Sequence, residues 1–165
     1  MNVLLPKLID ALREELKQYG EMLARLDHQQ NVVVRRQTDD ILPSVAAINE
    51  QASTIAASRS EREQHQRDVA RELNLPETAA FNAIVPLLPA DYRPLVQALV
   101  QENNELLFRV QQRARQNHLL LSHAVELMQR LINVIFPGAA PMTYDGAGQV
   151  PAINLPQHSL YEAVG

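Results

Sequence analysis

Between Asp91 and Phe136, apolar side chains fall at Leu99, Leu106, Val110, Leu121, Ala124, Met128, Leu131 and Ile135. The steps are three, four or their sums, a heptad-like seam that predicts one long helix. Gln101, Glu105, Gln112, Arg115 and Gln129 fill the other side. About 45 residues at ~1.5 Å each give a rod of about 67 Å, too long for a small globule to enclose. The remaining helices are expected to lie along it, with part of its stripe left for a visitor.

The same period recurs upstream. Leu5, Leu8, Leu12, Leu16, Tyr19, Leu23, Leu26 and Val33 mark a first helix to about Arg36, with Asn2 placed to cap it and Gln30 at a polar seam position. Gly20 costs that helix about 1 kcal/mol relative to Ala. It reads as a tolerated interior glycine, or as a bend or close helix contact. Thr38-Asp39-Asp40 breaks the chain and caps a second helix, with Pro43 expected in its first turn. Ile41, Val45, Ile48, Ala52 and Ile55 restart the seam, and the register continues through Arg59, Arg62, Gln66, Val69 and Leu73. Ser58 to Asp68 is polar all round and reads first as a solvated arm. The competing reading turns Arg59 and Arg62 onto the seam, towards an acidic group or a partner's backbone.

The spacing predicts an all-α fold: an elongated antiparallel bundle with long helices over about 2–36, 39–73 and 91–136, and a short helix over 77–87. The short helix plugs one end of the bundle, with Phe81 in the core. After Phe136 the chain turns rich in Gly, Ala and Pro. Residues 137–165 are expected to be a flexible, disordered tail with single hydrophobics suited to docking.

Composition narrows the function. Aromatics are 4% of the 165 residues and Trp is absent, which suits long helices better than a β core. A formal charge of −4 offers no basic field for nucleic acid. Cysteine is absent, which removes disulfides and thiolate chemistry. Met1 to Lys7 lacks a basic lead, Asp10 interrupts the apolar residues after it, and no apolar run approaches a membrane span. A cytoplasmic protein without stable membrane insertion is expected.

No catalytic or metal-binding constellation stands out in the chain. A di-metal bundle needs two Glu-x-x-His motifs, but Glu63 is followed three later by Gln66 and Glu126 by Gln129. His118 and His123 are five apart, on different faces of a helix. Phosphate loops and nucleophile elbows are also missing. No metal, no cofactor and no catalysis are expected. The available function is apolar helix surface, open to a client's amphipathic helix or to a second copy.

Two segments then carry a resemblance. The last helix holds Gln116-Asn117-His118-Leu119-Leu120-Leu121, and beyond its end comes Thr143-Tyr144-Asp145-Gly146-Ala147-Gly148. With the Leu-rich first helix and Tyr19, and with Arg62 ahead of Leu73-Asn74-Leu75, the chain resembles the FlgN family of flagellar export chaperones over about Leu4 to Gly148. The resemblance implies a chaperone of hook–filament junction proteins of the FlgK and FlgL type. It would hold their C-terminal helical regions, prevent premature assembly and deliver them to the type III export gate. It implies gate docking through Tyr144, although Asp145 follows where the family varies. Leu106, Val110, Asn117, Leu120, Leu121 and Met128 are the expected client-binding set. At each apolar position the competing reading is packing within the bundle. Asn117 has two readings, setting helix register or bonding a client backbone. A self-associating scaffold, a homodimer through the same stripe, is the alternative function.

Overall fold

The computed structural model describes Met1 and residues 3–135. Four α-helices and one 3-10 turn account for the fold: α1 Leu4–Val34, α2 Thr38–Glu72, α3 Phe81–Ile84, the 3-10 turn Val85–Leu87, and α4 Arg93–Ile135. The protein is all-α, and no strand occurs among the described residues. The expected tail lies outside them.

Both sharp turns of the chain use the same device. Arg36 (φ 55°) and Asn74 (φ 57°) adopt the left-handed conformation just past α1 and α2. Gln37 N–H then donates to the Val32 carbonyl at 3.0 Å, and Leu75 N–H to the Ala70 carbonyl at 2.9 Å. Each pattern satisfies carbonyls that a helix end leaves open. Val3 stands at the cap position of α1 and Gln37 at that of α2, neither with a side-chain cap bond. Asp39 and Asp40 sit in the first turn of α2, against its positive end. Pro43 lies one turn deeper than expected, because α2 already begins at Thr38.

α1 is the central element, and both α2 and α4 pack on it. α2 runs antiparallel to α1, pairing Glu15 with Arg62 and Gln29 with Ser44. α4 runs parallel to α1: Asn103 bonds the Leu12 carbonyl and Asn117 the Leu26 carbonyl, both at a separation of 91 residues. Between α2 and α4 the short α3 and the 3-10 turn cross the end of the bundle. The expected helix over 77–87 is shorter than its pattern suggested. Residues 76–80 form no helix, and only 81–84 complete an α turn. Phe81, Ile84 and Leu88 are buried there, and the Arg93 Nε donates to the Leu88 carbonyl at 2.7 Å.

The interior is layered. Leu5, Leu8, Ile9, Leu12, Val69, Phe81, Ile84, Leu88, Val96 and Val100 belong to one apolar cluster. Tyr19, Met22, Leu26, Ile48, Ile55, Leu107 and Val110 make a second. A polar layer separates them. The Arg62 Nε donates to Glu15 Oε2 at 3.0 Å, and the Tyr19 hydroxyl donates to Glu15 Oε1 at 2.9 Å. The Arg62 Nη1 donates to Gln66 Oε1 at 2.8 Å, and the Gln66 amide reaches the Ala79 carbonyl at 2.8 Å. One chain of bonds thus joins α1, α2 and the plug. The solvated-arm reading of Ser58 to Asp68 therefore fails at Arg62, whose side chain is 4% exposed against a fully buried Glu15. Seam position decided its fate over local polarity, because α1 supplies a buried carboxylate opposite it. Gly20 faces Leu106, and a methyl there would meet Leu106 Cδ2 at 3.9 Å, an ordinary contact.

Candidate functional site

The second apolar cluster ends in another polar layer. The Asn117 amide donates to the Leu26 carbonyl at 2.7 Å and to Gln29 Oε1 at 3.1 Å. Gln29 in turn reaches Ser44 Oγ on α2 at 3.4 Å. Arg113 adds an ion pair to Asp27 at 2.7 Å and a hydrogen bond to Gln30. These are the last described polar ties between α4 and its neighbours. Carrying the offset of 91 residues to Val34 sets the end of α1 level with Val125. α4 continues to Ile135, about 15 Å farther at ~1.5 Å per residue.

That free end is not polar. Val125, Leu127, Met128, Leu131, Ile132, Val134 and Ile135 are all exposed, Leu127 at 60% and Val134 at 77%. Single exposed apolar side chains are ordinary, whereas a contiguous apolar patch marks an interaction surface. Polar and charged residues, among them Ser122, His123, Glu126, Gln129, Arg130 and Asn133, occupy the remaining side. The helix holds one basic and one acidic side chain across that stretch, so its contact face is hydrophobic rather than electrostatic.

The sequence-predicted residues divide along the helix. Val110 is fully buried in the second cluster and Asn117 is 2% exposed, so these two belong inside the bundle and not on its open face. Val110 meets Tyr19, Leu26 and the α2 isoleucines through a shared cluster. The Asn117 amide binds the α1 backbone within the bundle. Leu106 is partly buried against the same cluster. Leu120 and Leu121 are half-buried where the bundle gives out. Met128 is 57% exposed on the free end. Tyr144 lies outside the described residues. Val125, Leu127, Ile132 and Val134 were not singled out in the sequence. Their signal was present in the apolar face of the last four turns, which is wider than one seam.

Burial, with the Glu15 carboxylate alongside, pushes the Tyr19 phenol far above its ordinary range, so it stays a protonated donor. At the other end of the bundle, a hydrogen bond and the charge of Arg71 hold the Glu77 carboxyl below its usual value. The Met1 amine pairs with Glu72, tying the start of α1 to the end of α2.

Among the described residues no group of three or more His, Asp or Glu could hold a metal ion, and no helix is long and apolar enough to cross a membrane. A bundle whose longest helix carries an apolar face past its partners has the surface of a protein that takes up helices from other chains. Residues 1–152 match the family model described as FlgN protein, and the chain belongs to the FlgN family. It is a flagellar export chaperone in the general sense of that family, which serves hook–filament junction proteins and is not a family of enzymes. No curated protein and no solved structure matches the chain.

Proposed function

We propose that the protein works in the cytoplasm and binds the C-terminal helical regions of FlgK- and FlgL-type junction proteins on the free end of α4. It holds them back from assembly and delivers them to the export gate. The exposed apolar face from Val125 to Ile135 carries this reading. An amphipathic helix of the client laid on α4 has its apolar stripe covered until export. Of the expected client-binding residues, Leu120, Leu121 and Met128 remain available, and Leu106 borders the bundle seam. Leu127, Leu131, Ile132 and Val134 join the set.

Co-purification of the full chain with junction subunits from the same organism tests the reading, with each subunit intact and with its C-terminal helices removed. A one-to-one complex that disappears on truncation is expected. No complex, together with a stable homodimer by light scattering, would replace the chaperone reading with self-association through the same face. Delivery rests on Tyr144: Tyr144→Ala is expected to leave the complex intact and to lower export. Normal export by that variant removes Tyr144 from docking.

A further inference from the structure

Eighteen residues are five full turns of an α-helix, at ~100° per residue. Residues eighteen apart on α4 therefore stand in line. Asn103, Leu107, Val110, Ala114 and Asn117 form the side turned to the bundle, all buried or half-buried. Five turns on, the same line is occupied by Leu121, Val125, Met128, Ile132 and Ile135. From Met128 on, the free end thus repeats the seat of α1 at a level α1 no longer reaches, continuous with the α1–α4 interface through Leu121 and Val125, which stand level with Gln30 and Val34.

A second line behaves differently. Glu102, Arg109, Arg113 and Gln116 lie beside the seam within the bundle, and three of the four are exposed to water. Eighteen residues later stand Leu120, Leu127, Leu131 and Val134, the last three exposed. The outer side of α4 turns from polar to apolar where its partners stop. At ~100° per residue the described buried residues from Val96 to Asn117 span an arc of about 100°, and the apolar residues from Leu120 to Ile135 span about 180°. A helix packed on one neighbour needs a stripe of about 100°. One helix continuing the seat of α1 would leave Leu127, Leu131 and Val134 in water.

Building on the chaperone reading above, we propose that α4 receives two amphipathic helices side by side from its protein client. One lies on Val125, Met128, Ile132 and Ile135 as a continuation of α1. The other lies on Leu120, Leu127, Leu131 and Val134, where the bundle itself has no helix. The client unit is thus a helical pair, and the complex extends the bundle as a new three-helix stretch with α4 as the shared member.

The test uses the full chain and the terminal helices of a junction subunit from the same organism, each as a single-helix peptide and both joined in one segment. Met128→Gln with Ile132→Gln disturbs the first seat, and Leu127→Gln with Leu131→Gln the second. All four positions are exposed, so folding is unaffected. Fluorescence anisotropy is expected to show the joined segment binding at least about tenfold more tightly than either peptide. Each double substitution is expected to weaken the joined segment by about tenfold or more, the scale set by losing buried apolar contact. A Kd within twofold of the parent for Leu127→Gln with Leu131→Gln overturns the pair and leaves a single-helix client. Tighter binding by that variant overturns it in favour of the chain's own tail on the second seat, and conversion of a free dimer to monomer does so in favour of a second copy. Failure of the unsubstituted chain to bind any junction subunit overturns the chaperone reading itself, and the proposal with it.

Discussion

Glu15 is the most constrained side chain in the bundle. Its carboxylate is fully buried, one oxygen held by Arg62 and the other by Tyr19. Taking both charges out of water is costly, so the pair is poor evidence for stability, but removing one partner strands the other. Arg62→Met is expected to lower the unfolding free energy by about 3–5 kcal/mol in urea titrations. Adding Glu15→Met should recover most of that loss, because an apolar pair fits between two apolar clusters. A loss under about 1 kcal/mol for the single change would show that the Glu15 charge is not isolated. Tyr19 gives the layer a pH signature. The folded state holds the phenol proton more firmly than the unfolded chain does, which releases it near pH 10. The resulting stability is complete below that pH and declines as pH rises beyond it. Tyr19→Phe should remove this alkaline slope, measured as unfolding free energy between pH 8 and about 11.5. Equal slopes for the two proteins would exclude Tyr19 as its source. The sequence placed Arg62 on the seam but could not show what faced it. The answer lay 47 residues away on another helix, and local polarity pointed to water.

Elements are aligned by asparagines. Asn103 and Asn117 sit two heptads apart on α4, and each donates to an α1 carbonyl two heptads apart, Leu12 and Leu26. A polar residue at a seam position sets register and costs some stability. Replacing both with Leu is therefore expected to keep or raise the urea midpoint while loosening the fit of α4 on α1. Amide NMR spectra should then show doubled resonances along α4, or light scattering should show mixed oligomers. A single sharp set of resonances at unchanged mass would mean that apolar packing alone fixes the register. Of this arrangement the sequence disclosed the helices and their order, since a period of three and four survives without knowledge of the partner. It disclosed Asn117 as a register candidate and passed over Asn103. Nothing in the pattern near Asn103 separates a fully buried amide from its half-buried neighbour Asn104. The plug was overextended for a related reason: Phe81, Ile84 and Val85 have helical spacing, but the preceding Pro76 to Ala80 folds as a turn held by Gln66.

The whole molecule is a bundle with one helix that outlasts it. A heptad seam on α4 runs unbroken past the end of α1, so the sequence could announce spare apolar surface without locating its start. Helix lengths locate it: α1 has 31 residues and α4 has 43. If stability resides in the two apolar clusters and function in the free end, the two are separable. A chain ending at Val125 keeps every buried residue of both clusters and both polar layers. It should unfold within about 0.5 kcal/mol of the full chain, the scale of changes away from the core. A chain ending at Leu106 loses Leu107, Val110 and Asn117 and should not fold. Binding should divide elsewhere: a chain ending at Phe136 retains the junction subunit, whereas the chain ending at Val125 does not. Circular dichroism melts and pull-downs on the three truncations read both properties at once. A stable, fully binding chain ending at Val125 would move the client site into the bundle, to Leu106 and the surface beside it. A marked loss of stability on cutting there would mean that the last turns of α4 support the fold.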